Sequence, residues 1–175
     1  MEQYLKAPDE ASIETLVEAY NTVIKWITPG DKRINIAEAI LLFMSTREQY
    51  KNAYTHIYLT LSEIENIRED HHKRLEYITK SLMCNSHNTD AYYKLYDIIP
   101  NIIHVNMFAD VLPYLDKNET LYDAITINMF AYTHKYKDIT TISKILDYIK
   151  CKDTRQLLEK TYPLQFPFTQ TDVTH

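Results

Sequence analysis

Histidine and cysteine side chains near the middle of the sequence have the chemistry to bind a metal ion. His71 and His72 are adjacent, and Cys84 lies three residues before His87. A structural zinc site needs four ligands, which usually come as two close pairs. Cys84 and His87 form one such pair, but Cys151 is far along the chain and no second pair follows. The pattern predicts a buried cysteine and a solvated turn histidine, with no bound metal and no other cofactor.

Carboxylates that could take part in acid–base chemistry cluster between Glu63 and Asp70, with Glu65 and Glu69 between them. They surround a predicted helix end, where a solvated face is the expected arrangement. The nucleophile motif Gly-x-Ser-x-Gly is missing, and a single glycine excludes glycine-rich phosphate loops and dinucleotide-binding fingerprints. The sequence therefore predicts a protein that is not an enzyme.

The composition is that of a helical protein with a sizeable core. The chain has 175 residues, of which 45% are hydrophobic, with one glycine and six prolines. So few chain-breaking residues leave little room for the tight turns of an all-β fold. We expect one helical repeat domain over 1–162 and an extended or disordered tail over 163–175.

Charge and cysteine content narrow the expected partners and location. The net charge is −5, and no run of Lys and Arg is longer than two, which argues against nucleic acid as the main ligand. Two cysteines do not make a disulfide framework, so a reducing compartment is expected. The longest apolar run, Ala39 to Met44, is too short to cross a membrane. We expect a soluble cytoplasmic protein that contacts neither nucleic acid nor membrane.

Apolar residues recur at helical spacing along nearly the whole chain. Helices are predicted over 9–27, 34–44, 48–66, 71–84, 89–99, 101–115, 118–134, 138–150 and 153–161. Asn88 or Thr89 is expected to cap the fifth helix, and Asn118 or Thr120 the seventh. Pro113 should kink or end the sixth helix.

The spacing also predicts which side of each helix is buried. The first helix should bury Ile13, Leu16, Val17, Tyr20, Ile24 and Ile27, and the third Tyr50, Ala53, Tyr54, Ile57, Tyr58, Leu61 and Ile64. The second is apolar nearly all round and should be well buried, with Ile36, Ala37, Ile40, Leu41 and Met44 inward. The seventh should bury Leu121, Ala124, Ile125, Asn128, Met129 and Tyr132.

Ala-Tyr pairs recur along the chain and indicate an internal repeat. Pairs begin at Ala19, Ala53, Ala91 and Ala131, and the first three lie 34 and 38 residues apart. Ala124, 33 residues beyond Ala91, continues the spacing without the tyrosine. A small alanine lets two helices approach closely, and an adjacent aromatic ring fills the space to the neighbouring helix. We expect Ala19, Ala53 and Ala91 to lie at equivalent helix crossings.

The segment LEYITKSLMCNSHNTDAYYKLY, from Leu75 to Tyr96, resembles the junction between two tetratricopeptide repeats. Ser81 stands at the small-residue position, Ser86 replaces the usual proline, and Ala91-Tyr92 with Leu95 matches the opening of the next repeat. The first and last units match by spacing only. The resemblance implies an all-α fold of antiparallel helix pairs stacked as a superhelix. An irregular α-helical bundle is the alternative.

The resemblance also implies a function, which is to bind a partner protein or peptide in a concave groove. The positions that line the groove in this family correspond here to Asn52, Thr55, His56, Leu59, Asp90, Tyr93, Lys94 and Asp97. Tyr93 lies about 100° around the helix from Tyr92, so the two rings cannot share one buried face. Tyr93 is therefore either a partner anchor or a contact to the next helix pair.

Two other functions stay open. The chain could be a helical accessory module of a larger enzyme such as a glycosyltransferase, since repeats of this family often accompany transferases. It could also be a compact bundle that acts as a viral groove protein or as a subunit of a larger assembly. The Asn-Trp-Gly-Arg motif of the Bcl-type groove proteins is missing, and the only tryptophan is Trp26.

Overall fold

The computed structural model describes residues 30–163, and all regular secondary structure in that range is helical. The all-α prediction is therefore confirmed for this part of the chain. The chain divides between Ile98 and Ile99 into two compact units. The predicted helix over 9–27, and the predicted tail beyond residue 163, lie outside the described residues. The prediction that 1–162 form one domain stays a prediction.

Four α-helices make up the described part of the first unit. They are α1 (Lys32–Ser45), α2 (Tyr54–Ile67), α3 (His71–Cys84) and α4 (Thr89–Ile98), and a 3₁₀ helix, Glu48–Ala53, leads into α2. The predicted third helix over 48–66 thus begins as a 3₁₀ helix. The bounds of α3 agree with the prediction residue for residue, and those of α1 and α4 agree within two residues.

Polar side chains begin α3 and α4, and the predicted capping of α4 by Asn88 is confirmed. A carboxylate oxygen of Asp70 accepts a hydrogen bond from the Lys73 backbone N–H at 3.1 Å. The amide oxygen of Asn88 accepts one from the Ala91 N–H at 3.2 Å. Each bond satisfies an N–H group of the first helical turn, and the Ala91 N–H also donates to the Asn88 carbonyl at 3.1 Å.

Helices α2 and α3 form an antiparallel hairpin. At its tight turn Glu69 takes a φ of 59°, a position usually held by glycine, and the Asp70 N–H donates to the Glu65 carbonyl at 3.0 Å. The hydroxyl of Ser81, near the end of α3, donates to the carbonyl of Thr55, near the start of α2, at 3.2 Å. Ser81 is fully buried, so its small side chain lets the two helices approach closely.

One apolar cluster of the first unit packs α1, the 3₁₀ helix and α2 together with Tyr77 of α3. It contains Ile34, Ala37, Ile40, Leu41, Met44, Tyr50, Ala53, Ile57, Leu61, Ile64 and Tyr77, with Tyr54, Tyr58 and Ile67 partly buried against it. The predicted face of the third helix is therefore confirmed, although two of its tyrosines are only partly buried.

The predicted burial of α1 is partly wrong. Ile36 is 48% exposed and Leu42 is 39% exposed, whereas Ile34, which the pattern does not place inward, is buried. When a helix is apolar on most sides, its sequence does not show which side faces the interior. The contacts with other elements then decide which residues are buried.

Four α-helices and three 3₁₀ helices form the described part of the second unit. The α-helices are α5 (Phe108–Val111), α6 (Tyr122–His134), α7 (Ile139–Tyr148) and α8 (Lys152–Thr161), and the 3₁₀ helices are Ile99–Asn101, Val105–Met107 and Leu112–Tyr114. The hydroxyl of Tyr122, at the start of α6, donates to the carbonyl of Tyr148, at the end of α7, at 2.6 Å. Helices α6 and α7 are therefore antiparallel. No helix in residues 30–163 is long and apolar enough to cross a membrane.

The predicted single helix over 101–115 is wrong, because only Phe108–Val111 is α-helical there. Every third residue is buried, namely Ile99, Ile102, Val105, Phe108 and Val111. This spacing matches the three residues per turn of a 3₁₀ helix and not the 3.6 of an α-helix. Pro113, which lacks a backbone N–H, is the second residue of the last 3₁₀ turn and prevents a longer α-helix.

Helix α6 begins later than predicted and is turned relative to the predicted face. Its N-cap residue is Leu121, which makes no side-chain capping bond, so neither Asn118 nor Thr120 caps it. Asn128 is exposed, contrary to prediction. The buried residues are Tyr122, Ile125, Thr126, Met129, Phe130 and Thr133. Tyr122 and Phe130 have the larger rings to bury, and they fix the helix rotation.

Candidate functional site

The predicted groove residues of the first helix pair lie on or just before α2. Asn52 and His56 are exposed, and Thr55 is half-buried. Leu59 is only 6% exposed, so its side chain belongs to the interior. The solvent-facing part of this set is therefore polar.

The other four predicted residues share one face of α4. Asp90, Tyr93, Lys94 and Asp97 follow i, i+3, i+4 and i+7 spacing. The Tyr93 side chain is 58% exposed. Its neighbour Tyr92 is 1% exposed, and the Tyr92 hydroxyl donates to the Ser86 carbonyl at 2.7 Å. The 100° offset between successive helical residues thus places one ring in the interior and the next in solvent.

A shared carboxylate joins the two predicted faces. The Lys94 ammonium group on α4 donates to Glu63 Oε1 on α2. Arg74 on α3 places Nη2 3.7 Å from the same oxygen. Glu63 lies one helical turn beyond Leu59, so the predicted face of α2 meets that of α4 at this ion pair. Sequence spacing could not reveal this contact, because Glu63 and Lys94 are 31 residues apart.

Arg74 is a buried cation at this junction. It is 8% exposed, and its Nε has no hydrogen-bond partner among the described residues. Burial of a guanidinium is unfavourable unless an anion compensates its charge. Glu63 supplies that anion, and it therefore holds α2, α3 and α4 together. Lys94 is thus committed to an internal ion pair.

Tyr96, which sequence reasoning missed, extends the exposed surface of α4. It is 42% exposed and lies one turn from Tyr93. No ring or cation contact to Tyr93 or Tyr96 occurs among the residues that the structure describes. We call the exposed side chains of Asp90, Tyr93, Tyr96 and Asp97 the α4 surface.

Four other aromatic rings, those of Phe43, Tyr58, Tyr77 and Tyr132, carry a cation from the same chain. The Arg47 guanidinium lies 4.6 Å from the centre of the Phe43 ring. The Lys80 ammonium lies 5.9 Å and 5.4 Å from the rings of Tyr58 and Tyr77. Such contacts stabilise each pair through the negative face of the ring. The bare rings of the α4 surface differ from this pattern.

The acidic cluster is more buried than the sequence predicts. Glu65 is 1% exposed, and its Oε1 lies 2.9 Å from Arg68 Nη1 and 3.6 Å from Lys73 Nζ. Arg68 also pairs with Glu38 of α1. Burial raises the pKa of Glu65 above its ordinary value, although the two nearby cations lower it. The cluster ties α1, α2 and α3 together, and the prediction of a solvated face is wrong for Glu65.

The two cysteines occupy opposite ends of helices. Cys84 ends α3 and is exposed, contrary to the prediction that it is buried. Desolvation of its thiol still raises the pKa of Cys84. Cys151 is the N-cap residue of α8. A hydrogen bond from the Thr154 side chain lowers the pKa of the Cys151 thiol, as do the backbone N–H groups of Thr154 and Asp153. Both thiols are free.

The other histidines of the predicted metal pattern lie at helix starts or in turns. His71 and His72 begin α3 and are half-buried, and His87 is exposed in the turn before α4. The predicted position of His87 in a solvated turn is confirmed.

Comparison with models of protein families, with curated proteins and with solved structures finds no match to this chain.

Proposed function

We propose that this chain is a non-catalytic protein-interaction module that binds a partner protein or peptide on the surface formed by α2 and α4. The observation that carries the proposal is the 58% exposure of Tyr93 beside the buried Tyr92. Tyrosine is enriched among residues that dominate binding energy, because its ring gives a large contact area with a polar tip. An exposed ring on a rigid helix is therefore well suited to anchor a partner.

The arrangement of the helices supports a tetratricopeptide-like stack as the scaffold of this surface. Helix α2 contacts α3, and its Glu63 also pairs with Lys94 of α4. The first helices of successive pairs are neighbours in such a stack. The groove would then be lined, beside Tyr93, by Asn52, Thr55, His56 and Asp97. The buried Leu59 would pack in the interior beneath this surface.

The polar clusters favour a structural role over catalysis. Glu63 contacts two cations of neighbouring helices, Arg74 and Lys94. Glu65 contacts Lys73 of α3 and Arg68 at the end of its own helix. Glu63 compensates the buried charge of Arg74, so removing it would weaken the helix packing. We place the protein in a reducing intracellular compartment, in keeping with the free thiols of Cys84 and Cys151.

A peptide selection tests the function directly, because it requires no identified partner. A random peptide library displayed on phage is selected on the immobilised protein, after binders of the Tyr93→Ala variant have been removed. We expect peptides whose affinity for the variant is about 5- to 150-fold weaker, equivalent to about 1–3 kcal/mol. If every recovered peptide binds both proteins equally, or none is recovered, the proposal is wrong.

A further inference from the structure

The α4 surface combines two bare aromatic rings with two carboxylates. Tyr93 and Tyr96 are 58% and 42% exposed. Asp90 and Asp97 are exposed, and neither forms an ion pair with any residue that the structure describes. Lys94, which lies on the same face of α4, pairs with Glu63, a carboxylate that Arg74 also approaches. The surface is therefore acidic and aromatic, with no cation available to it from its own helix.

Three other tyrosine rings of the chain already carry a lysine. Lys80 lies over Tyr58 and Tyr77, and in the second unit Lys135 lies 5.3 Å from the centre of the Tyr132 ring. A carboxylate beside a ring strengthens the attraction for a cation, because both groups present negative charge to it. The α4 surface has both aromatic rings and carboxylates, but no cation lies over its rings among the described residues.

We infer that the partner segment bound by the α4 surface is basic, with Lys or Arg side chains that lie over Tyr93 or Tyr96 and pair with Asp90 and Asp97. This inference rests on the proposed function and names the chemistry of the partner. A neutral or acidic segment would leave the two carboxylates without compensation in the interface, which is unfavourable.

The helix geometry sets the spacing of the cations. Asp90 and Asp97 are seven residues apart, which is about 10 Å along the axis of α4 at 1.5 Å per residue. A partner helix that lies along α4 matches this distance with basic residues at i and i+7. An extended segment matches it with basic residues about three positions apart.

Two designed peptides provide the probe. Both are 15-residue helical peptides with leucines on one side, and they differ only at three positions, i, i+4 and i+7, which carry Lys in one peptide and Gln in the other. Fluorescence anisotropy measures their affinity for the wild-type protein and for the double variant Asp90→Asn/Asp97→Asn. We expect the Lys peptide to bind the wild type more tightly than the Gln peptide, and to bind the double variant about tenfold more weakly.

A second double variant separates local pairing from general charge attraction. Asp110→Asn/Asp147→Asn changes two exposed aspartates of the second unit and alters the net charge equally. We expect it to change the affinity for the Lys peptide less than about twofold. Equal weakening by both double variants, or equal binding of the Lys and Gln peptides to the wild type, would overturn the inference.

The library selection distinguishes failure of this inference from failure of the proposed function. Peptides that depend on Tyr93 and are enriched in Lys and Arg support both. Peptides that depend on Tyr93 without basic enrichment keep the protein-binding function and refute a basic partner. An acidic or neutral consensus would be the clearest refutation.

Discussion

The two units of this protein use tyrosine in different ways. In the first unit α4 leaves Tyr93 and Tyr96 in solvent with no cation or ring contact among the described residues. In the second unit the hydroxyl of the half-buried Tyr132 donates to the Pro100 carbonyl at 2.6 Å and lies 3.1 Å from the Tyr136 hydroxyl. The bond with Tyr136 raises the pKa of Tyr132 to about 12. The second unit thus ties the half-buried Tyr132 to its own backbone, whereas α4 of the first unit leaves Tyr93 and Tyr96 in solvent.

The backbones of the two units differ mainly between residues 99 and 111. The described part of the first unit consists mostly of α-helices of ten to fourteen residues, so one side of each helix must face solvent. Helices α6 to α8 of the second unit are of similar length. The 99–111 segment buries every third residue and consists of two 3₁₀ turns followed by one α-helical turn. A regular helix face is a better platform for recognition, because its side chains are held at fixed spacing.

The largest expected effect tests the packing difference between two Ala-Tyr pairs. Ala91 is fully buried in α4, and Ala131 is half-buried in α6. Ala91→Leu should lower the free energy of unfolding by about 1–3 kcal/mol, because the larger side chain overpacks the crossing. Ala131→Leu should cost clearly less. Urea denaturation of both variants provides the comparison, and equal losses would remove this distinction between the units.

A smaller effect is expected from the buried tyrosine of the second unit. Tyr122→Phe removes the hydroxyl that donates to the Tyr148 carbonyl, and the ring stays in place. The free energy of unfolding should fall by about 1 kcal/mol, the usual contribution of such a bond. Tyr96→Phe, on the α4 surface, serves as the control and should leave it unchanged. A loss of stability in the control would show that Tyr96 is not a free surface residue.

The smallest expected effect is on the pH dependence of the free energy of unfolding, through Glu65 in the first unit. The raised pKa of Glu65 means that the folded state holds this proton more tightly than the unfolded state. Its contribution to stability is therefore largest below the unfolded pKa, near 4.5, and is lost as the pH rises through the folded pKa. Glu65→Gln should remove this fall in the free energy of unfolding.

Urea denaturation at several pH values between about 4 and 7 measures the slope. The control is Glu48→Gln, because the Glu48 side chain is 86% exposed. It should keep the wild-type dependence. If Glu65→Gln keeps it as well, Glu65 does not titrate differently in the folded and unfolded states.

The sequence predicts much of the fold because many helix limits are local. Asp70 caps α3, and the polar residues after Cys84 end it, so both limits could be found from neighbouring residues. The spacing of three over 99–111 was also present in the sequence, but both helix types favour apolar residues at i and i+3. The rotation of α1 and α6 depends on packing partners elsewhere in the chain, which periodicity does not identify.

The candidate site, like the fold, could be predicted from the sequence only where local features determine it. The exposure of Tyr93 agrees with its 100° offset from the core-facing Tyr92, which is a local property of the helix. The burial of Leu59 and the ion pair between Glu63 and Lys94 depend on how distant segments pack. The sequence therefore indicated the exposed Tyr93 but not the ion pair that joins α2 to α4.

The most direct test of the account compares two tyrosines of equal chemistry and different environment. Tyr93→Ala and Tyr136→Ala are each measured for melting temperature and for affinity toward a peptide selected on the wild-type protein. Tyr136 is 42% exposed but lies against Tyr132. We predict that Tyr93→Ala keeps its stability within about 0.5 kcal/mol and binds the peptide about 5- to 150-fold more weakly. Tyr136→Ala should bind it as the wild type does. A folded Tyr93→Ala protein with undiminished peptide affinity would contradict the account.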